Sequence, residues 1–102
     1  MLVMITKGFE VNSREDVVAL YSIEVGGKTY RFVRKDAKRI HAVRELFGLL
    51  DRIARRVPSW DSAGSDDSYV YRAGYVHLKK EEFAALTSAA EGLRAYQPEV
   101  HA

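Results

Sequence analysis

The chain has 102 residues, no cysteine and a net charge of +2, with 47% hydrophobic and 29% charged residues. This length predicts one compact domain over residues 1–102, and the lack of cysteine excludes disulfides and thiolate metal sites. No apolar run approaches the ~20 residues of a spanning helix and the opening residues lack a signal-peptide pattern, so we expect a cytoplasmic protein without a membrane partner. One Asn, one Gln and more Arg than Lys hint at a thermophilic source.

The first third of the chain predicts a strand and a hairpin. Residues 2–7 form a short β-rich run, and the runs VVALYSIEV and KTYRFVR flank Gly26-Gly27. A Gly-Gly pair between two such runs predicts a tight hairpin turn, because that turn needs positive φ angles. The turn also sets the cross-strand pairs, and the pairs that we predict to be buried are Ile23 with Tyr30 and Tyr21 with Phe32.

The rest of the chain predicts two helices and a second hairpin. Asp36 is a suitable N-cap for a long amphipathic helix that ends before Pro58. Residues 58–68, rich in Ser, Asp and Gly, predict a mobile surface loop. YVYR and YVHLKK predict two strands that meet in a turn or a bulge at Ala73-Gly74. KEEFAALTSAAEGLRAY predicts a second helix, and residues 97–102 predict a frayed tail.

These elements predict an α+β fold, with an antiparallel sheet of four to five strands and two helices packed on one face. If Ala73-Gly74 is a turn, the strand pair has a buried face and an exposed face. The predicted buried face carries Tyr69, Tyr71, Val76 and Leu78. The predicted exposed face carries Arg72, Tyr75, His77 and Lys79, beside Arg31 and Lys35 of the first hairpin.

The positive charge is concentrated in one third of the sequence. The net charge is −2 over residues 1–27, +7 over 28–56 and −3 over 57–102. A concentrated positive surface favours a phosphate-rich partner, because binding releases counterions from the phosphates. Exposed aromatic rings beside these cations favour single strands, because unpaired bases can stack on the rings. We therefore predict a nucleic-acid-binding surface formed by Arg31, Arg34, Lys35, Lys38, Arg39, Trp60, Arg72, Tyr75, His77 and Lys79.

Several of these residues are also compatible with a purely structural role. The cations can serve only solubility and the protection of sheet edges. Trp60 can be a loop anchor at the edge of the core, and Tyr75 can be a half-exposed strand residue that pairs with Arg72. The spacing of Asp61, Asp66 and Asp67 lacks the pattern of a calcium-binding loop.

The layout resembles the archaeal ThermoDBP-type single-stranded DNA-binding proteins of hyperthermophiles. KTYRFVRKDAKR, YVYRAGYVHLKK and the order of elements over about residues 1–96 carry this resemblance. It implies non-specific binding of single strands in a cleft lined by apolar and basic side chains. Members can also carry a C-terminal dimerising helix, for which this sequence has no heptad pattern after Tyr96.

The sequence thus predicts a non-enzymatic protein that binds single-stranded DNA or RNA with little sequence preference and needs no metal or cofactor. The main alternative is a protein-interaction or homo-oligomeric accessory module, of cellular or viral type, with a basic surface. A homodimer is compatible with either function. A hydrolase or nuclease is the least favoured function, because no second acid or base is placed by the sequence near His77.

Overall fold

The computed structural model describes residues 1–11, 18–25, 27–34 and 41–96. Within these residues the elements are β1 (Leu2–Glu10), β2 (Val18–Val25), β3 (Lys28–Val33), α1 (His41–Ala54), β4 (Asp61–Ser65), β5 (Tyr69–His77) and α2 (Lys80–Tyr96). The described strands form one antiparallel sheet in the order β3-β2-β1-β5-β4, so β1 is the central strand. The predicted α+β architecture is confirmed.

Both described helices pack on one face of the sheet, which we call the helix face; the opposite one is the open face. Among the described residues, the core between sheet and helices is entirely apolar apart from the Tyr21 hydroxyl. Strand residues in it include Val3, Ile5, Ile23, Phe32 and Val76; helix residues include Leu46, Phe47, Leu50, Ile53 and Leu86. Burying such side chains supplies the main free energy of folding, at roughly 1.5–3 kcal/mol for each large aliphatic residue.

The first hairpin has the predicted register. Ile23 pairs with Tyr30 and Tyr21 with Phe32, and three of these four side chains are fully buried, while Tyr30 is half-buried. Gly27 has a φ of 79°, in the left-handed region that glycine tolerates without strain. The alternation of the two strands therefore predicted correctly which side faces the helices.

The second hairpin differs from the prediction. Residues 69–77 form one uninterrupted strand, and its hairpin partner is β4, a strand inside the segment predicted as a loop. Because side chains alternate without a break along β5, Tyr69 and Tyr71 lie on the open face with Tyr75, and Arg72 lies on the helix face. The predicted placement of Tyr69, Tyr71 and Arg72 was wrong.

Gly74 accounts for the wrong prediction. It lies where the chain between α1 and β4 crosses the helix face, and a Cβ there would collide with Val57 Cγ1 and approach the Ser59 carbonyl oxygen to 2.7 Å. Glycine is thus required for close approach of another backbone segment, a role it has inside strands as well as in turns.

The end of α1 and the start of α2 lie where the sequence predicts them. α1 ends at Ala54, and the Val57 amide donates to the Ala54 carbonyl over 3.2 Å before Pro58 prevents continuation. At the start of α2 the Glu82 carboxylate accepts a hydrogen bond from the Lys79 amide at 2.9 Å and two from Arg56 at 2.8 and 2.6 Å. These bonds join the segment that follows α1 to the first turn of α2. The predicted N-cap Asp36 and tail 97–102 lie outside the described residues.

Candidate nucleic-acid interface

The structure divides the predicted binding residues between the two faces of the sheet. Arg31, Tyr75 and His77 lie on the open face, where they are exposed, whereas Arg34, Arg72 and Trp60 lie on the helix-face side. Lys79 is exposed between β5 and α2. The remaining three predicted cations, Lys35, Lys38 and Arg39, lie outside the described residues.

Trp60 packs against the core edge and also borders a cleft. Its side chain is half-buried, as expected for a loop anchor. The Lys7 ammonium lies 4.0 Å from the centroid of its ring and 5.4 Å from that of Phe9. We call this open space of about 310 Å³ the Trp60 cleft; it is lined by Lys7, Tyr21, Asp51, Ala54, Arg55, Val57 and Trp60.

Two cations stand directly opposite each other beside this cleft. Lys7 of β1 pairs with Arg72 of β5 across the strands on the helix face. Partial burial, and then the charge of Arg72, lower the pKa of Lys7 from its usual value. Among the described residues no carboxylate forms an ion pair with either side chain. Like charges at directly opposed positions destabilise a sheet, so this arrangement costs the fold free energy.

Asp51 is the one acidic side chain among the described residues that line the cleft, and its charge is already engaged. The Tyr21 hydroxyl donates to Asp51 Oδ1 at 2.8 Å, and the Arg34 guanidinium is 3.7 Å from Asp51 Oδ2. Burial, and then the hydrogen bond to Asp51, raise the pKa of Tyr21 far above its usual value. The local charge of the cleft therefore remains positive, with Lys7, Arg55 and Arg72 around it.

The Arg34 side chain makes contacts that stabilise the fold. Its Nε donates to the Val18 carbonyl at 2.7 Å, and its guanidinium lies 5.0 Å from the centroid of the Phe47 ring. These contacts attach the end of β3 to β2 and α1. A ligand in the Trp60 cleft would feel the charge of Arg34, but the side chain is held mainly by intramolecular partners.

The open face has a different chemistry. Asp66 Oδ2 accepts a hydrogen bond from the Tyr71 hydroxyl at 2.7 Å, and Oδ1 accepts from the amides of Ser68 and Tyr69 at 2.7 and 2.8 Å. The bond from Tyr71, followed by the two amides, lowers the pKa of Asp66, with a smaller contribution from Arg31. The charge of Arg31 is thus opposed by a carboxylate of the same face.

Sequence reasoning missed Lys7 and Arg55 as candidate residues. A signal for Lys7 was present, since Val3, Ile5, Lys7 and Phe9 are alternate residues of one strand, and a charged residue at an otherwise apolar position of a buried face is unusual. Arg55 had no such signal, because a cation near the end of a helix is ordinary.

Comparisons of the chain with protein-family models, with curated proteins and with solved structures found no match. Among the described residues no helix is long and apolar enough to cross a membrane, and no group of acidic and histidine side chains is arranged to hold a metal ion.

Proposed function

We propose that this protein binds single-stranded nucleic acid, without catalysis and with little sequence preference, at the Trp60 cleft. The observation that carries the proposal is the opposed pair of Lys7 and Arg72, two cations placed together at a cost to the fold and beside a half-buried indole. A phosphate between them would relieve their repulsion and accept hydrogen bonds from both. Residue pairs that destabilise the fold, as these two cations do, are expected at functional sites.

The side chains around the cleft supply the two interactions that single strands require. Lys7, Arg55 and Arg72 are positioned to follow the sugar-phosphate backbone. The Lys7 ammonium lies over the Trp60 ring in the free chain, and its turn towards a phosphate would leave that aromatic surface to a base. Stacking on such a ring contributes ~1–3 kcal/mol for each base and tolerates any sequence. Lys35, Lys38 and Arg39 follow Arg34 in the sequence, and the proposal keeps them as further backbone contacts.

The emission of Trp60, the single tryptophan, tests the proposal directly. Titration with oligothymidine should quench it, and the affinity should fall with salt, because bound cations release counterions from the phosphates. Duplex of matched length should bind more weakly at the same salt, since paired bases cannot stack on the ring. DNA and RNA oligonucleotides of the same sequence would then show whether the sugar matters.

Two outcomes would contradict the proposal. An unchanged Trp60 spectrum at a concentration of oligothymidine that saturates a labelled-strand assay would remove the cleft from the site. Equal or tighter binding to duplex would leave only general phosphate attraction, which favours the higher charge density of the double strand.

A further inference from the structure

The amine of Lys7 differs in its surroundings from the other lysine side chains that the structure describes. Lys28, Lys79 and Lys80 are exposed, whereas Lys7 is half-buried on the helix face and pairs with Arg72 across the strands. Partial burial, and then the charge of Arg72, lower the pKa of Lys7. A lysine that is desolvated beside another cation loses its proton more readily, and its neutral amine is a nucleophile.

The contact with Trp60 places this amine at the ring face that a base would occupy. Nζ of Lys7 lies 4.0 Å from the centroid of the Trp60 ring. A stacked base has to displace it, but a nucleotide that has lost its base leaves it in place. Since C1′ is the sugar atom to which the base was attached, a bound abasic sugar directs C1′ towards Nζ of Lys7.

The other cations around the cleft suit the two phosphates that flank such a sugar. Arg72 lies directly opposite Lys7 on β5, and Arg55 lines the cleft where α1 ends. A guanidinium binds a phosphate through paired charge-assisted hydrogen bonds, so these two side chains can hold the backbone while the amine stays over the ring. The cleft volume of about 310 Å³ is that of a small-ligand pocket, which is enough for one nucleotide.

We infer that Lys7 forms a reversible imine with the C1′ aldehyde of an abasic nucleotide in a bound single strand. The inference rests on the proposed function, because the strand has to lie in the Trp60 cleft before the two groups meet. A sugar without its base exists in part as a ring-opened aldehyde, whereas an intact nucleotide has no carbonyl at this carbon. The covalent step is therefore confined to abasic nucleotides.

The reaction needs no co-reactant. The Lys7 ammonium gives one proton to water, and the lone pair of Nζ forms a bond to C1′ while the π pair of the carbonyl moves to its oxygen. That oxygen takes up one proton from Nζ and one from the solvent, and it leaves as water with the electron pair of the C1′–O bond. One ammonium and one aldehyde thus give one protonated imine and one water molecule, and hydrolysis restores both partners.

Reductive trapping detects the imine. The probe is an oligothymidine with one abasic nucleotide at its middle, and sodium borohydride reduces the imine to a stable secondary amine. The chain has six lysines, and peptide mass mapping distinguishes Lys7 from the others and from the amino-terminal amine. Lys7 should carry about tenfold more adduct, or better, than any other amine of the chain. The same oligonucleotide with a tetrahydrofuran residue, which has no aldehyde, should give no adduct.

Two substitutions of lysine by arginine isolate the role of the amine. Lys7→Arg keeps the positive charge but removes the primary amine, so the trapped adduct should fall by about tenfold or more, even at a strand concentration that saturates this variant in an anisotropy titration. Lys80→Arg makes the same change at the exposed first residue of α2 and should retain the parent's yield. Circular dichroism of both variants verifies the fold.

The outcomes separate this inference from the proposed function. Binding of the abasic strand without an adduct, an adduct spread evenly over the lysines, or the parent's yield in Lys7→Arg would overturn the inference and leave the single-strand proposal in place. Failure of both the abasic and the intact strand to bind in the anisotropy titration would overturn the two together.

Discussion

Replacing Lys7 with methionine should weaken the binding of single strands while leaving the free energy of unfolding almost unchanged. The substitution removes the ammonium that lies 4.0 Å from the Trp60 ring centroid but keeps an unbranched stem of similar length. If Lys7 contacts one phosphate of a bound single strand, its loss lowers the log–log salt slope by roughly 0.7. At 0.1 M salt that change corresponds to about a fivefold loss of affinity.

The fold should hardly respond to the same substitution. Removing the repulsion between Lys7 and Arg72 gains ~0.2–1 kcal/mol, as for like charges opposed in a sheet. Losing the cation over the ring costs ~0.5–1 kcal/mol, and the methionine sulfur restores part of this by contact with the aromatic ring. The free energy of unfolding should therefore change by no more than about 0.5 kcal/mol, since these contributions are similar and opposite.

Anisotropy of a labelled oligothymidine at graded salt measures the first effect, and urea unfolding measures the second. Lys80→Met is the matched control, because it removes the same charge from the exposed first residue of α2. The reasoning is refuted if Lys7→Met binds with the parent's affinity and salt slope, or if the control variant loses as much affinity. A loss of binding accompanied by a large loss of stability would show that Lys7 acts through the fold.

Other predictions concern the core and the pH dependence of stability. Gly74→Ala should cost ~1–3 kcal/mol in urea unfolding, since its Cβ overlaps atoms of the neighbouring chain segment; an unchanged midpoint would place that segment elsewhere. Phe32→Ala should cost ~3–5 kcal/mol because it leaves a cavity, whereas Tyr75→Ala should change stability by no more than about 0.5 kcal/mol; the reverse order in thermal melts would mean that the faces are exchanged. Tyr21 keeps its proton in the folded chain at a pH where the unfolded chain ionises, near ~10, so stability should fall as pH rises above that value. Tyr21→Phe, which loses the bond to Asp51 and is less stable at neutral pH, should show a flatter decline; an equally steep one would assign it to other groups.

The first hairpin could be predicted from sequence because its signals agreed. Gly26-Gly27 indicated the turn, and the alternation of Tyr21 with Ile23 and of Tyr30 with Phe32 indicated the same buried face. When turn chemistry and hydrophobic period point to one register, a shift by one residue would expose every buried side chain.

The second hairpin could not be predicted, since its strands lack those signals. β4 has the sequence DSAGS, all of it exposed, and it is held by backbone hydrogen bonds to β5 rather than by buried side chains. A turn at Ala73-Gly74 would place Tyr69 and Tyr71 on the helix face, whereas the unbroken strand places them on the open face. The candidate site in the structure therefore differs from the predicted one. Arg72 lies on the face that borders Trp60, whereas the sequence predicts it on the face of Tyr75.

The central position of β1 has a consequence for how the chain is assembled during synthesis. One edge of β1 pairs with β2, which follows soon after it, but the other edge pairs with β5, which emerges from the ribosome only after β2, β3, α1 and β4. Until then the nascent chain holds a half-built sheet whose middle strand is an exposed edge. Because pairing of strands so distant in sequence is slow, we expect closure of the β1–β5 ladder to limit the folding rate. Shielding of that temporary edge should then decide how much of the protein escapes aggregation in the cell.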